Sequence, residues 1–156
     1  MSDDDAELLR RLREQEERLI FTRFDHTDAW RLGCRLVDLA TQRRLPVAVD
    51  IRHGTQQVFH AALPGSSADN DAWIARKSRV VFRFGESSYL VGRRLAAKGA
   101  TLAAYGVDPA QFAAHGGAFP VRVRDVGVVG VVTASGLPQA DDHALVVEAI
   151  EAHLAS

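Results

Sequence analysis

The chain is short of the residues that mark most specialised chemistries. Its single cysteine, Cys34, among 156 residues excludes an intrachain disulfide and a zinc site built from several thiolates. No apolar run approaches the ~18 residues of a membrane span. Neither sign of charge dominates: Lys+Arg 19 stand against Asp+Glu 20, a net charge of -1. The basic footprint of a nucleic-acid binder is therefore missing. Also missing are a Gly-x-Ser-x-Gly elbow, a phosphate-binding Walker loop, a His-Glu-x-x-His helix, a Cys-x-x-Cys-His haem attachment and a Rossmann crossover pattern. No internal repeat, low-complexity tract or Pro/Ser-rich linker divides the sequence. Residues 1–5 are acidic where a secretory leader is basic and then apolar, so a cytoplasmic protein is expected. The expected organisation is one domain, with an N-terminal helix and edge strand over 1–24 and the main body over 25–156.

What is present suffices for a core. A folded chain of 17.0 kDa exposes roughly 7,700 Å² of the ~24,700 Å² of its extended form. Residues 6–18 are strong helix formers, with Leu9, Leu12 and Leu19 as a thin apolar stripe on a charged surface helix that could also meet another subunit. Residues 19–24 are β-prone and read as an edge strand. Apolar residues from Trp30 to Ala40 recur at helical spacing behind the capping candidates Asp25 and Thr27, and Leu45-Pro46 ends that helix. Residues 47–52 and 57–63 alternate about a His53-Gly54-Thr55 turn and read as a hairpin. Ser67 or Asp69 opens a helix that Gly85 stops, and another helix runs from Tyr89 to Lys98. A second hairpin spans 118–124 and 127–135, the latter apolar enough for a central strand covered on both faces. Asp141 or Asp142 opens the last helix. Two hairpins with helices before, between and after them predict an antiparallel sheet with helices on its faces, an α/β chain of the α+β kind.

Several polar groups interrupt this pattern. His115-Gly116-Gly117 joins a proton-exchanging imidazole to two residues that let a backbone approach a ligand, or forms a flexible turn feeding a strand. One of Asp141 and Asp142 serves as an N-cap. The other, with His143, adds polar groups at a helix N-terminus where bare amides favour an anion. Asp50 and Arg52 inside a strand must pair if their face is buried. With Arg52 opposite Gln57 and no irregularity, His60 opposes Val49 on the apolar face, as a satisfied half-buried histidine. Arg76, Arg79 and Arg83 line a helix side as a basic stripe, ready for carboxylates or phosphates, or solvated. His53, His60 and His115, with Asp50 and Asp141, raise metal binding, but no pair has a strong ligand spacing. Cys34, mid-helix, reads as core rather than nucleophile.

Further motifs carry a resemblance. His115-Gly116-Gly117-Ala118-Phe119-Pro120, the run Gly127 to Gly136 and the acidic opening of the last helix resemble the GlcG/HbpS-like family, known as haem-degrading. Leu45–Ile51, Asp69–Lys77 and Gly136–His143 are similar to one uncharacterised subfamily of it. The resemblance covers most of 25–155. It implies a profilin-like fold with a five-stranded antiparallel sheet between helices, homo-oligomers, and haem binding or degradation in particular members. On this reading a small anionic ligand or haem sits in a pocket near subunit interfaces, lined by Asp50, Arg52, Lys77, His115, Gly116, Gly117, Asp141 and His143. The glycines offer amides, Arg52 and Lys77 hold anionic groups, and His115 or His143 ligates iron or shuttles protons. Two other readings stay open. One is an interaction scaffold without chemistry; the other is an enzyme with His115 and a carboxylate as acid and base. The ligand reading places the double glycine and the start of the last helix around one hollow; without that convergence a well-packed building block remains.

Overall fold

The computed structural model describes residues 1–156. The chain runs α1 (Asp3–Arg18), α2 (His26–Gln42), β1 (Ala48–His53), β2 (Gln56–Ala62), α3 (Ala68–Phe84), α4 (Ser88–Ala97), a 3₁₀ turn (Leu102–Tyr105), β3 (Ala118–Val123), β4 (Gly127–Ser135) and α5 (Gln139–Ala155). The strands form an antiparallel sheet of order β2-β1-β4-β3. The folded chain exposes 7853 Å², close to the value its mass implies. No helix is long and apolar enough to cross a membrane.

The sheet has four strands, not five. Between α1 and α2 only Phe21 reaches it, as a lone parallel bridge to Val123. Phe21 N–H donates to Arg122 O and its carbonyl accepts from Arg124 N–H. Leu19 is still the C-cap of α1 and Asp25 already caps α2, through reciprocal bonds with Asp28. Too few residues remain between the helices to extend a ladder.

Period two divides each strand between two environments. Val49, Ile51, Phe119, Val121, Val132 and Ala134 face α2 and α5, meeting Leu32, Leu36, Val146 and Ile150 in the main core. The alternate residues face α3: Ala118 and Val131 pack on Val81, while Thr133 Oγ1 lies 3.2 Å from Ser78 Oγ. The apolar stripe of α1 is used within the chain, Leu9 and Leu12 packing on Tyr89 and Leu90 of α4. Buried Glu16 of α1 accepts from Ser87 N–H at 2.6 Å and pairs with Arg122. The basic stripe is likewise absorbed: Arg76 stacks over Trp73, Arg79 donates to Gln111 O and Arg83 lies over Phe84.

Two local details move polar residues from their expected places. A bulge at Ile51/Arg52 keeps Arg52 opposite Gln57 but sets His60 opposite Asp50 and Phe59 opposite Ile51. His60 therefore lies on the polar face, not the apolar one, because an extra residue shifts the alternation. Pro138 is the N-cap of α5, so neither aspartate is. Proline's fixed φ suits a helix entrance, and its carbonyl accepts from the N–H groups of Asp141 and Asp142. That earlier start sets Asp141 in solvent and turns Asp142 inward.

Candidate functional site

The face of the sheet under α3 holds a chain of buried polar groups that ends in a niche. Lys77 and Asp142 are 3% and 1% exposed, with Nζ 3.1 Å from Oδ2. Lys77 also donates to Ala134 O at 3.2 Å. Asp142 accepts from Leu137 N–H at 3.0 Å and Gly136 N–H at 3.3 Å. Burial acts against both charges, lowering the Lys77 pKa and raising that of Asp142, and the pairing opposes each shift. The pair faces a cavity of 260 Å³ lined by Asn70 and Trp73 of α3, His115, Ser135 and the entrance of α5.

The double glycine and the start of α5 do meet. Gly116 N–H donates to Gln139 Oε1 at 3.0 Å. Gly117, at φ +141°, sits where a Cβ would lie 2.7 Å from Lys77 Nζ and 3.3 Å from Asp142 Cβ and would collide with Ala134 O. The glycines therefore permit close approach between chain segments. The Gly116 donor is already taken by Gln139 Oε1. His115, exposed at the rim, packs edge-on against Trp73 with ring centroids 5.3 Å apart. Its pKa is lowered by partial burial, then by the charges of Lys77 and Arg76. Trp73 and His115 also border an apolar groove of 340 Å³ lined by Leu95, Leu102 and Phe112.

The other candidates lie apart from this niche. Asp50 is wholly buried on the same sheet face, held by Arg52 Nε at 3.1 Å, Gln57 Nε2 at 2.5 Å and His60 Nδ1 at 3.2 Å. His60 Nε2 lies 3.2 Å from Asp71. This network is internally satisfied, and neither Asp50 nor Arg52 lines the cavity. Asp141 points away, beside Arg43, Leu45 and Glu148. His143 is buried under α1 on the far side of α5, where Nε2 meets Gln15 Oε1 at 2.7 Å and the ring packs on Tyr89 and Phe119. Burial lowers its pKa to about 4, and its Nδ1 has no partner. No three His, Cys, Asp or Glu side chains come together to hold a metal ion.

Asn70, Trp73, Ser135, Gly136, Leu137, Gln139 and Asp142 complete the niche and are absent from the lining proposed on sequence grounds. Asn70, Trp73 and Lys77 stand three and four residues apart, the spacing of one helix face. That signal was in the sequence, but it coincides with ordinary core periodicity.

Known proteins share this architecture. The family model described as "Haem degrading protein HbpS-like" matches residues 24–151. The UPF0303 protein SCO2848 of Streptomyces coelicolor is 63% identical over 141 residues, covering 90% of this chain and 89% of its own. A UPF0303 protein of Rhizobium etli is 49% identical over 153 residues, covering 98% and 92%. Among solved structures, the Ybr137w protein superposes with a TM-score of 0.85 at 32% identity over 94% of this chain and 87% of its own. HbpS gives 0.67 at 17% identity, over 85% and 91%. A PduOC:heme complex gives 0.67 at 21% identity, over 83% and 94%. The last two are similar in fold. The chain accordingly belongs to the HbpS-like haem-degrading family, among relatives that are UPF0303 proteins.

Proposed function

We propose that this protein binds a small polar ligand carrying an anionic group in the niche between α3 and the start of α5, and that it does so as a homo-oligomer. The observation that carries this reading is the Lys77–Asp142 pair, buried yet facing a cavity. Such a pair is a poor stability device, because desolvating two charges offsets their attraction and apolar residues would serve as well. Placed against a hollow with Ser135, Asn70 and His115, it offers a ligand both a fixed cation and a fixed acceptor. His115 at the rim adds a donor for an anionic end. Exposed Phe82, Tyr105 and Val126 are apolar groups that a second copy would cover. In this reading residues 1–24 clamp onto the body formed by 25–156.

Haem does not fit the niche. Its 260 Å³ lies below the roughly 300 Å³ at which pockets for drug-sized ligands begin, and a porphyrin is larger still. Trp73 and Leu137 are its only large apolar liners, where a macrocycle needs an apolar slot. His115 has an imidazole of the right kind for iron, but it stands at the rim against Trp73.

The reading is tested by titrating ¹⁵N-labelled protein with malonate and with inorganic phosphate, following the Trp73 indole N–H and the His115 imidazole. A saturable shift with either anion, lost in His115→Ala and Lys77→Met, is expected. No shift at millimolar anion, together with no co-purifying small molecule in native mass spectrometry, would sink the reading. Haemin added to the same protein should give no one-to-one absorption change that depends on His115.

A further inference from the structure

A larger cavity, of 710 Å³, lies on the opposite side of the sheet, between α2, residues 21–23 and the last turn of α5. Nothing in the niche chemistry uses it. Its floor is partly aromatic: Phe21 approaches His153 at 5.8 Å between ring centroids. Trp30 stands edge-on to Phe59 and remains 62% exposed, the most exposed aromatic residue of the chain. Arg31 and Arg35 project into the same space from successive turns of α2.

Arg31 is exposed, but Arg35, one turn on, is half-buried and has no partner. Other buried or half-buried cations have a carboxylate, Lys77 with Asp142, Arg52 with Asp50, Arg94 with Glu86 and Arg122 with Glu16, and Arg76 stacks on Trp73. Arg31 and Arg35 form neither an ion pair nor a hydrogen bond with any group of the chain, the terminal carboxylate of Ser156 included. The Arg35 Nε is buried without an acceptor. Like charges at i,i+4 repel on a helix, and a desolvated guanidinium N–H left unmatched is unfavourable. The nearby carboxylates do not relieve this. Asp28 is already held by Asp25 N–H at 3.0 Å and Arg23 Nε at 3.4 Å, and Asp38 is exposed at the rim.

We propose that this groove is a second ligand site, taking an aromatic anion whose acid group lies on Arg31 and Arg35 and whose ring lies against Trp30 and Leu154. Paired guanidinium forks match a carboxylate or a phosphate, and the apolar body displaces water from the exposed indole. The site shares no residue with the niche, so each stands or falls alone.

The two tryptophans make the test direct, because Trp30 reports on the groove and Trp73 on the niche. The ¹⁵N-labelled protein is titrated with naphthalene-1-carboxylate, naphthalene-1-phosphate and the neutral naphthalene-1-methanol, and the indole resonances are assigned with Trp30→Phe. One or both acids should shift the Trp30 indole N–H saturably and leave that of Trp73 in place; which acid does so identifies the head group. The neutral analogue should bind at least roughly tenfold more weakly, and Arg31→Gln/Arg35→Gln should weaken the acid by a similar factor. Arg35→Lys, which keeps the charge and loses the fork, should fall between. A Trp30 signal unmoved by either acid, or equal binding of acid and alcohol, overturns the proposal. So does binding that persists in the double variant. If that variant does not fold, the comparison of acid with alcohol on the native protein decides.

Discussion

The two faces of the sheet follow different rules. Toward α2 and α5 the strands present Val49, Ile51, Phe119, Val121, Val132 and Ala134, and none of these carries a polar side-chain atom. Toward α3 the same strands present Asp50, Thr133 and Ser135: Asp50 is held by Arg52, Gln57 and His60, Thr133 meets Ser78, and Ser135 meets Asn70 beside the Lys77–Asp142 pair. Both faces are buried, so burial alone does not distinguish them. The apolar face gains stability from every methyl removed from water. On the polar face each group needs a specific partner, and the return on that arrangement is a hollow lined by fixed donors and acceptors. The fold is held from one side and can afford chemistry on the other.

The sharpest way to break this division is to attack the apolar face. Phe119→Ala removes a ring that is 1% exposed at the centre of the main core. It should lower unfolding stability by about 3–5 kcal/mol in urea titrations. The niche should be unaffected for as long as the chain stays folded.

On the polar face a single change and a paired change should have opposite outcomes. Lys77→Met leaves Asp142 buried with only the Gly136 and Leu137 amides. It should cost about 3 kcal/mol, whereas Lys77→Met/Asp142→Leu should recover that loss or exceed it. Both variants should lose anion binding. A double variant as unstable as the single one would mean that the pair is structural, and the contrast between the faces would fail.

That contrast was half legible from residue order. Asp50 and Arg52 declared themselves as charges within an apolar strand, and they are paired as such a burial demands. The partner His60 could not be read, because the bulge at Ile51/Arg52 leaves no mark in the alternation and yet exchanges two faces of β2. The helices were clearer, since Asp25, Ser87 and Gly85 cap where their side chains or their left-handed backbone require. At α5 the capping preference of aspartate outweighed the proline three residues earlier. A shift in the helix start changed which aspartate faces inward. Convergence of the double glycine with α5 follows from the β3–β4 hairpin, which sets Ala118 beside Thr133, whereas the separation of His143 from His115 depends on which side of α5 each faces. Periodicity alone does not fix that.

His143 offers a smaller, pH-dependent probe of the region behind α5. Its pKa is lowered by burial to about 4, whereas the unfolded chain has the ordinary value near 6.5. Between these values the unfolded state binds more protons, so stability is complete above about pH 6.5 and falls as the pH drops toward 4. At pH 5 the loss from this residue should be about 2 kcal/mol. His115 and His153, also lowered, act in the same direction, and Asp142, raised, acts against them. The difference between native protein and His143→Gln across urea titrations at several pH values therefore isolates the contribution of this imidazole. Equal pH dependence in both would show that the imidazole is not shielded as its 4% exposure implies.

The smallest effect is expected at Asp141, and it separates the two adjacent carboxylates most cleanly. Asp141→Asn keeps the size of a side chain that lies in solvent, and surface changes of this kind fall within about 0.5 kcal/mol. It loses a negative charge in the first turn of α5, where the helix dipole favours one, so a slight destabilisation is the expected sign. Asp142→Asn, one residue on, removes the counter-charge of a buried ammonium and should be strongly destabilising. Anion titration should return native affinity for the first variant and none for the second. If Asp141→Asn weakened anion binding as much as Asp142→Asn, α5 would have to present its other side to the cavity, and the inward turn assigned to Asp142 would be wrong.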